Sequence, residues 1–297
     1  MPRWYITVAN FVMKKHLVIL AALALVVFCG CNKITLSGNN TTKEFSIDGS
    51  YTELVVENAF DVTVSDAVDQ ITVETDVNVM PKVLVEKDGD KLKIHLTPLS
   101  INLGTNLELK VELPYNADLK KVVLSGASEF HSEDGLEGEK VEVELSGASE
   151  FYCDVTADEV DIDMSGASDF FGSITADEID MELSGSSTIE SELSANELDL
   201  NLSGASDATL KGQIEELKIE LTGASNIVKQ VIGERYSLVC ENCSGVISGA
   251  SEAYIHCDGR ICVDLSGASN LHYTGNGSSS GCSTTSGGSS IIGPEHP

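Results

Sequence analysis

Positive charge is what this chain most lacks: it carries 18 Lys and Arg against 47 Asp and Glu in 297 residues, a formal net charge of −29. Nucleic acid is excluded as a partner on that ground, because a phosphate backbone is held by clustered Lys and Arg, and no cluster follows the first residues. Long hydrophobic runs are also missing. The one sustained apolar segment, LVILAALALVV (17–27), is too short for a comfortable membrane span. Histidines are few and uncombined: His95, His131, His256 and His272 are scattered, with no HExxH or triad-like setting, so no enzyme signal comes from them. Three- and four-residue apolar spacing, the mark of an amphipathic helix, is absent from the part of the chain that repeats.

The short apolar run has another use. Met13-Lys14-Lys15-His16 precedes it and Phe28-Cys29-Gly30-Cys31 follows, the charged, apolar and small-residue order of a secretory signal peptide. The Gly30-Cys31 junction resembles a bacterial lipoprotein cleavage motif, in which the Cys becomes lipidated; Phe28 and Cys29 depart from its usual residues. Residues 1–30 are therefore expected to be a signal peptide of lipoprotein type and Cys31 the lipidated first residue of the mature chain. An ordinary cleaved signal and an uncleaved anchor are the competing readings. A lipid anchor would place the protein in the bacterial cell envelope, as an outer-membrane lipoprotein. No acidic residue follows Cys31 directly, so a periplasmic facing and a surface facing both stay open.

What the chain does have is one small word, repeated. It is spelled LSGAS (124–128), LSGAS (145–149), MSGAS (164–168), LSGSS (183–187), LSGAS (202–206), LTGAS (221–225), ISGAS (247–251) and LSGAS (265–269). Its central glycines are Gly126, Gly147, Gly166, Gly185, Gly204, Gly223, Gly249 and Gly267, and from Gly147 to Gly223 every step is 19 residues. A fixed period of this length is the signature of a solenoid. Each word is entered through strict alternation, as in VEVEL (141–145), VDIDM (160–164) and IDMEL (179–183), which means a strand with one buried face. The word itself reads as a corner, where Gly supplies unusual backbone angles or a close approach and the flanking Ser hydroxyls bond to turn backbone or to the next coil. A second inward ladder follows it: Phe130, Phe151, Phe170, Ile189, Ala208, Ile227, Ala253 and Leu271.

The expected organisation is thus a linker over 31–43, a β-rich N-terminal part over 44–117 that caps the solenoid, a β-helix of SGAS repeats over 118–274, and a flexible Gly/Ser tail over 275–297. The opening ENAFDVTV (57–64), the strands ending in SGAS words and the closing LSGASNLHYTGNG (265–277) resemble the putative auto-transporter adhesin, head GIN domain family of bacterial envelope proteins. That resemblance covers residues 51–277. It implies a right-handed parallel β-helix on a secreted or lipid-anchored protein, and it brings no catalytic site. The cysteines near residue 240 and in the tail are atypical of it.

Three features could carry chemistry. Outward acids recur in coil after coil, at Glu142 and Glu144, Asp161 and Asp163, Asp180 and Glu182. Stacked about 4.8 Å apart, such carboxylates repel one another and could recruit a hard cation such as Ca²⁺, the one cofactor the sequence offers. The blander reading is the solvated face of an acidic protein. Next, His131, Tyr152, Phe171, Tyr254 and His272 hold equivalent places after the corner, either as a stripe that stacks on sugar rings or as packing. Last, Cys240, Cys243, Cys257 and Cys262 fall close together. Aligning Cys243-Ser244-Gly245 with Leu265-Ser266-Gly267 sets Cys240 over Cys262 and predicts a disulfide there, with Cys243 to Cys257 as another. The spacing fits no familiar zinc finger, and Cys153 and Cys282 have no evident local partner.

An all-β parallel β-helix with about 19-residue coils therefore points to a non-enzymatic envelope protein that binds a glycan or protein through repeated outer faces, or assembles with its own copies. A β-helical carbohydrate-active enzyme is the alternative, and a purely structural envelope component the third reading.

Overall fold

The computed structural model of the chain describes residues 34–97, 107–233 and 235–294. The expected signal segment and the lipidation residue Cys31 lie outside them. Among the described residues no helix is long and apolar enough to cross a membrane.

The alternating segments become strands of a parallel β-solenoid. In Leu136–Leu145, Val141, Val143 and Leu145 are buried and Glu142 and Glu144 turn outward. Each strand lies beside its equivalent one period on: Val141 opposite Val160, Val160 opposite Ile179, Ile179 opposite Leu198. Like side chains therefore stack along the axis. Phe130, Phe151 and Phe170 have ring centroids 5.2 and 5.0 Å apart, and Ile189, Ala208, Ile227, Ala253 and Leu271 continue the ladder fully buried. Every large apolar side chain enclosed in this way contributes roughly 1.5–3 kcal/mol.

Corner chemistry follows from close stacking of backbone. Gly185 has φ +75°, and a Cβ there would sit 2.5 Å from the Gly166 carbonyl oxygen. The next amide, on Ser186, donates to that same oxygen at 2.7 Å. The Ser that ends each word is buried, and its hydroxyl closes the turn: Ser149 Oγ donates to the Ser146 carbonyl and Ser187 Oγ to the Ser184 carbonyl, both at 2.7 Å.

The N-terminal region supplies a coil of its own as well as a cap. Glu53–Val56 and Asp61–Ser65 pair in parallel with Lys121–Leu124 and Glu129–Ser132. Between them Asn58, at φ +85°, takes the corner place that Gly holds elsewhere, and Gly126 stacks on its carbonyl. On the other side Lys91–Leu96 and Leu109–Pro114 add one more parallel layer. Antiparallel strands Val83–Asp88, Ile71–Asp76 and Asn40–Phe45 then end the stack. Asn40–Phe45 begins inside the stretch expected to be linker, and its mostly exposed polar residues leave an edge poorly suited to further pairing.

Two expectations are corrected. The expected flexible tail over 275–297 holds ordered structure within its described residues, 275–294: Thr284–Thr285 and Ser290–Ile292 extend the ladder in parallel, and Gly287 stacks over Gly267 as one more corner. The Cys240–Cys262 disulfide is replaced by Cys262–Cys282, with Cα atoms 5.1 Å apart, while Cys153, Cys240, Cys243 and Cys257 are buried free thiols, so Cys243–Cys257 is not bonded either. The error lies in register. Cys243-Ser244-Gly245 imitates a word, but the corner is ISGAS (247–251), and Leu238–Ile247 must turn Cys243 and Ile247 inward, opposite Ile261 and Leu265. Regular spacing fails just before this point because a small hairpin, Val231–Ile232 with Arg235–Tyr236, is inserted between Gly223 and Gly249.

Candidate functional site

The outward residues of the strands that enter the corners form two columns on one face. The first runs Lys121, Glu142, Asp161, Asp180, Asp199, Lys218, and the second Val123, Glu144, Asp163, Glu182, Asn201, Glu220. Period-two alternation brings both columns to the same face, and the parallel register lines up acid with acid. All six acids singled out in the sequence meet here.

Lysines clamp the ends of this array. Lys121 Nζ lies 2.8 Å from Glu142 Oε2 and also reaches Glu144, and these two bonds hold its pKa above the usual lysine range. Lys218 binds Asp199 at the far end. From the side, Lys140 reaches Asp161 at 2.6 Å together with Glu159. The middle has less relief: among the described residues, no ion pair engages Asp163, Asp180 or Glu182, and the charges of Lys121 and Lys218 offset the repulsion at Asp163 and Asp180 only in part. Partial burial, then the charges of Glu182, Glu144 and Asp161, raise the pKa of Asp163. Partial burial, then Asp199, Asp161 and Glu159, raise that of Asp180. A shallow groove of about 270 Å³ runs past Glu144, Asp163 and Glu182, with Ser146, Ser165 and Ser184 along its other wall. Its chemistry suits a cationic or hydrogen-bond-donating partner that spans several coils.

The aromatic stripe splits in two. His131, Tyr152 and Phe171 stack with centroids 4.5 and 4.9 Å apart, and Tyr254 stacks on His272 at 4.5 Å, with Glu190 and Thr209 interrupting the column between them. Sugar stacking uses ring faces, and here the rings spend theirs on one another. Packing is the role this geometry supports. The other histidines among the described residues have structural partners: His95 Nε2 lies 3.0 Å from Glu86, and His256 lies 2.8 Å from Thr274 Oγ1 and 3.2 Å from Asp258.

One grouping was not evident in the sequence. Pairing of Asp61–Ser65 with Glu129–Ser132 gathers Asp61, Glu129 and His131, whose ligating atoms lie within 4.8 Å of one another. Two carboxylates and an imidazole are donors a divalent cation accepts, although the charge of Lys110 also falls near Asp61. The available signal was the match of ENAFD (57–61) to SGASE (125–129), which sets Asp61 over Glu129.

The model of the putative auto-transporter adhesin, head GIN domain matches this chain over residues 50–191 and again over 169–277. No curated protein matches it. Among solved structures, a putative adhesin from Parabacteroides distasonis ATCC 8503 superposes with a TM-score of 0.62 at 18% identity, covering 88% of this chain and 100% of the other. A putative adhesin from Parabacteroides merdae ATCC 43184 superposes at 0.59, with 18% identity, 88% of this chain and 98% of the other. A crystal structure described as a putative lipid binding protein from Parabacteroides distasonis ATCC 8503 gives 0.58, again at 18% identity and with 88% and 98% covered. At such identity these three bear on the fold alone.

Proposed function

We propose, on the premise that the chain belongs to the putative auto-transporter adhesin, head GIN domain family, that it is a non-enzymatic binding protein of the bacterial cell envelope, anchored through a lipid on Cys31. The observation that carries the reading is the acid array, in which equivalent carboxylates recur at successive coils and, among the described residues, no ion pair engages its central acids Asp163, Asp180 and Glu182. Such an array grips an extended, multivalent partner by many weak contacts whose effects combine. Catalysis would instead call for one constellation with an acid, a base and an orienting third group. The partner class is an extended glycan or protein segment that presents amines or hydroxyls, or that is bridged to the acids by Ca²⁺. Stacked side chains fill the interior, so the ligand meets the outside.

Glycan and peptide arrays, probed with and without Ca²⁺, test this. Binding should survive Asp163→Asn alone and disappear in the triple variant Asp163→Asn, Asp180→Asn, Glu182→Gln. Sugar cleavage abolished by a change in one coil would replace the reading with the enzyme, and no binding on either array would favour a structural component. In the same preparations Cys31→Ser should move the protein from the detergent phase to the aqueous phase; unchanged partitioning would count against the anchor.

A further inference from the structure

We infer that Cys240 and Cys257 are a second disulfide site, which joins the coil after the inserted hairpin to the coil that follows it. The two residues are register partners on adjacent parallel strands, both inward and both fully enclosed. A backbone bond from the Asp258 amide to the Cys240 carbonyl, at 3.3 Å, fastens the strands at this point. Opposed residues on neighbouring strands have Cα atoms about 4.8 Å apart, inside the range that a disulfide spans.

The chain already shows that its coil spacing accepts such a bond. Cys262 and Cys282 lie one coil apart, two residues before the register pair Asp264 and Thr284, and are bonded with Cα atoms 5.1 Å apart. That bond also bears on the environment, since a disulfide persists only under oxidising conditions. Cys243 is the competing thiol. Its register partners are Leu217 and Ile261, neither of which carries sulfur.

The reaction is thiol–disulfide exchange with a disulfide-bearing oxidant, either a protein dithiol catalyst or a small-molecule disulfide. One Cys thiolate opens the oxidant's disulfide and forms a mixed disulfide, releasing one thiol. The second Cys then displaces the other half, so that two hydrogens and two electrons pass to the oxidant and the Cys240–Cys257 bond remains. Timing follows from burial. Contact between the two sulfurs and their enclosure push the Cys257 thiol well above its ordinary pKa, and Cys240 is raised as well, first by its contact with Cys243. Closed coils therefore withhold the thiolate, and the bond must form while the chain is folding.

The test is to export the full chain into an oxidising periplasm, denature it directly in an alkylating reagent, and cleave after Glu and after Lys and Arg. These cuts separate Cys240 (236–241), Cys243 (242–252) and Cys257 (253–260), and leave Cys262 and Cys282 together as the internal proof of oxidation. The expected result is fragments 236–241 and 253–260 joined, lighter by the two hydrogens lost, with Cys243 alkylated. Alkylated Cys240 and Cys257 beside an intact Cys262–Cys282 bond would overturn the proposal, as would a bond from Cys243 to either. A second arm adds oxidised glutathione to the folded, reduced protein. Little or no Cys240–Cys257 bond within the time that refolding protein forms it is expected; equal rates would overturn the timing.

Discussion

At Gly185 the backbone takes φ +75°, and any Cβ would come within 2.5 Å of a carbonyl oxygen that is itself fixed in the stack. Left-handed backbone alone costs a residue with a side chain about 1–2 kcal/mol, and the stacked coils cannot shift to relieve the clash. Gly185→Val should therefore lower the melting temperature by at least about 4 °C, using roughly 2–4 °C per kcal/mol for a chain of this size. Glu182→Gln, on the wet face, should leave it within about 1 °C, as is usual for a surface change. Thermal melts of the two variants check this, and equal shifts would reverse the inward and outward assignments. Single residues also show where sequence reading stops. The corner role of Gly185 was legible because its word repeats; that of Asn58 was hidden, because Asn tolerates left-handed backbone and so replaces Gly without keeping its letter. The grouping of Asp61 with Glu129 and His131 was hidden for the same reason, since it depends on reading the Asn58 segment as a coil.

Among the elements, alternation and spacing made the strands between 141 and 221 readable and marked the N-terminal part as a β-rich cap, whereas the coil which that part also supplies and the coil after residue 275 were not readable. Low-complexity composition suggested a flexible tail from residue 275 onward, yet SGGS (286–289) is the same corner chemistry in a different spelling, and the strands beside it complete a coil. Near residue 240 the inserted hairpin removed the period that had fixed the register, and a local Ser-Gly pair offered a false one. The last coil depends on the Cys262–Cys282 bond more than on its core, because Thr284–Thr285 is exposed and Ser290–Ile292 only half-buried. With a separation of 20 residues, closing that loop is worth roughly 3 kcal/mol in chain entropy. Cys282→Ser should accordingly release the final coil while sparing the middle of the solenoid. Hydrogen exchange should quicken at 284–292 and stay slow at 179–183; uniform acceleration would mean that the stack melts as one unit.

For the whole molecule, an excess of acid fixes how stability responds to pH. Asp163 and Asp180 have pKa values raised by partial burial and by their neighbours' charges. Between the ordinary carboxylate value near 3.9 and those raised values, the folded chain binds more protons than the unfolded one. Stability must fall as pH rises through that window and return on acidification. Asp76 and Asp258 behave oppositely. Burial would raise Asp76, but hydrogen bonds from the Asn78 and Gly38 amides and from Ser37 outweigh it. The backbone amide of Asn276 is the main cause that lowers Asp258, and burial opposes it. Their contributions are complete above the ordinary carboxylate value and are lost as pH drops through their folded values. The melting temperature should thus climb on acidification from pH 7 toward the ordinary carboxylate value near 3.9, then fall as pH drops further through the lowered values of Asp76 and Asp258. The double variant Asp163→Asn, Asp180→Asn should start higher at pH 7 and lose most of the climb while keeping the acid fall. Added salt should also flatten the climb, because it screens the repulsion between partly exposed columns. A melting temperature that declines steadily from pH 7, unaltered by the double variant, would show that the central acids do not repel one another, and an array without that repulsion would have little reason to draw in a cationic partner.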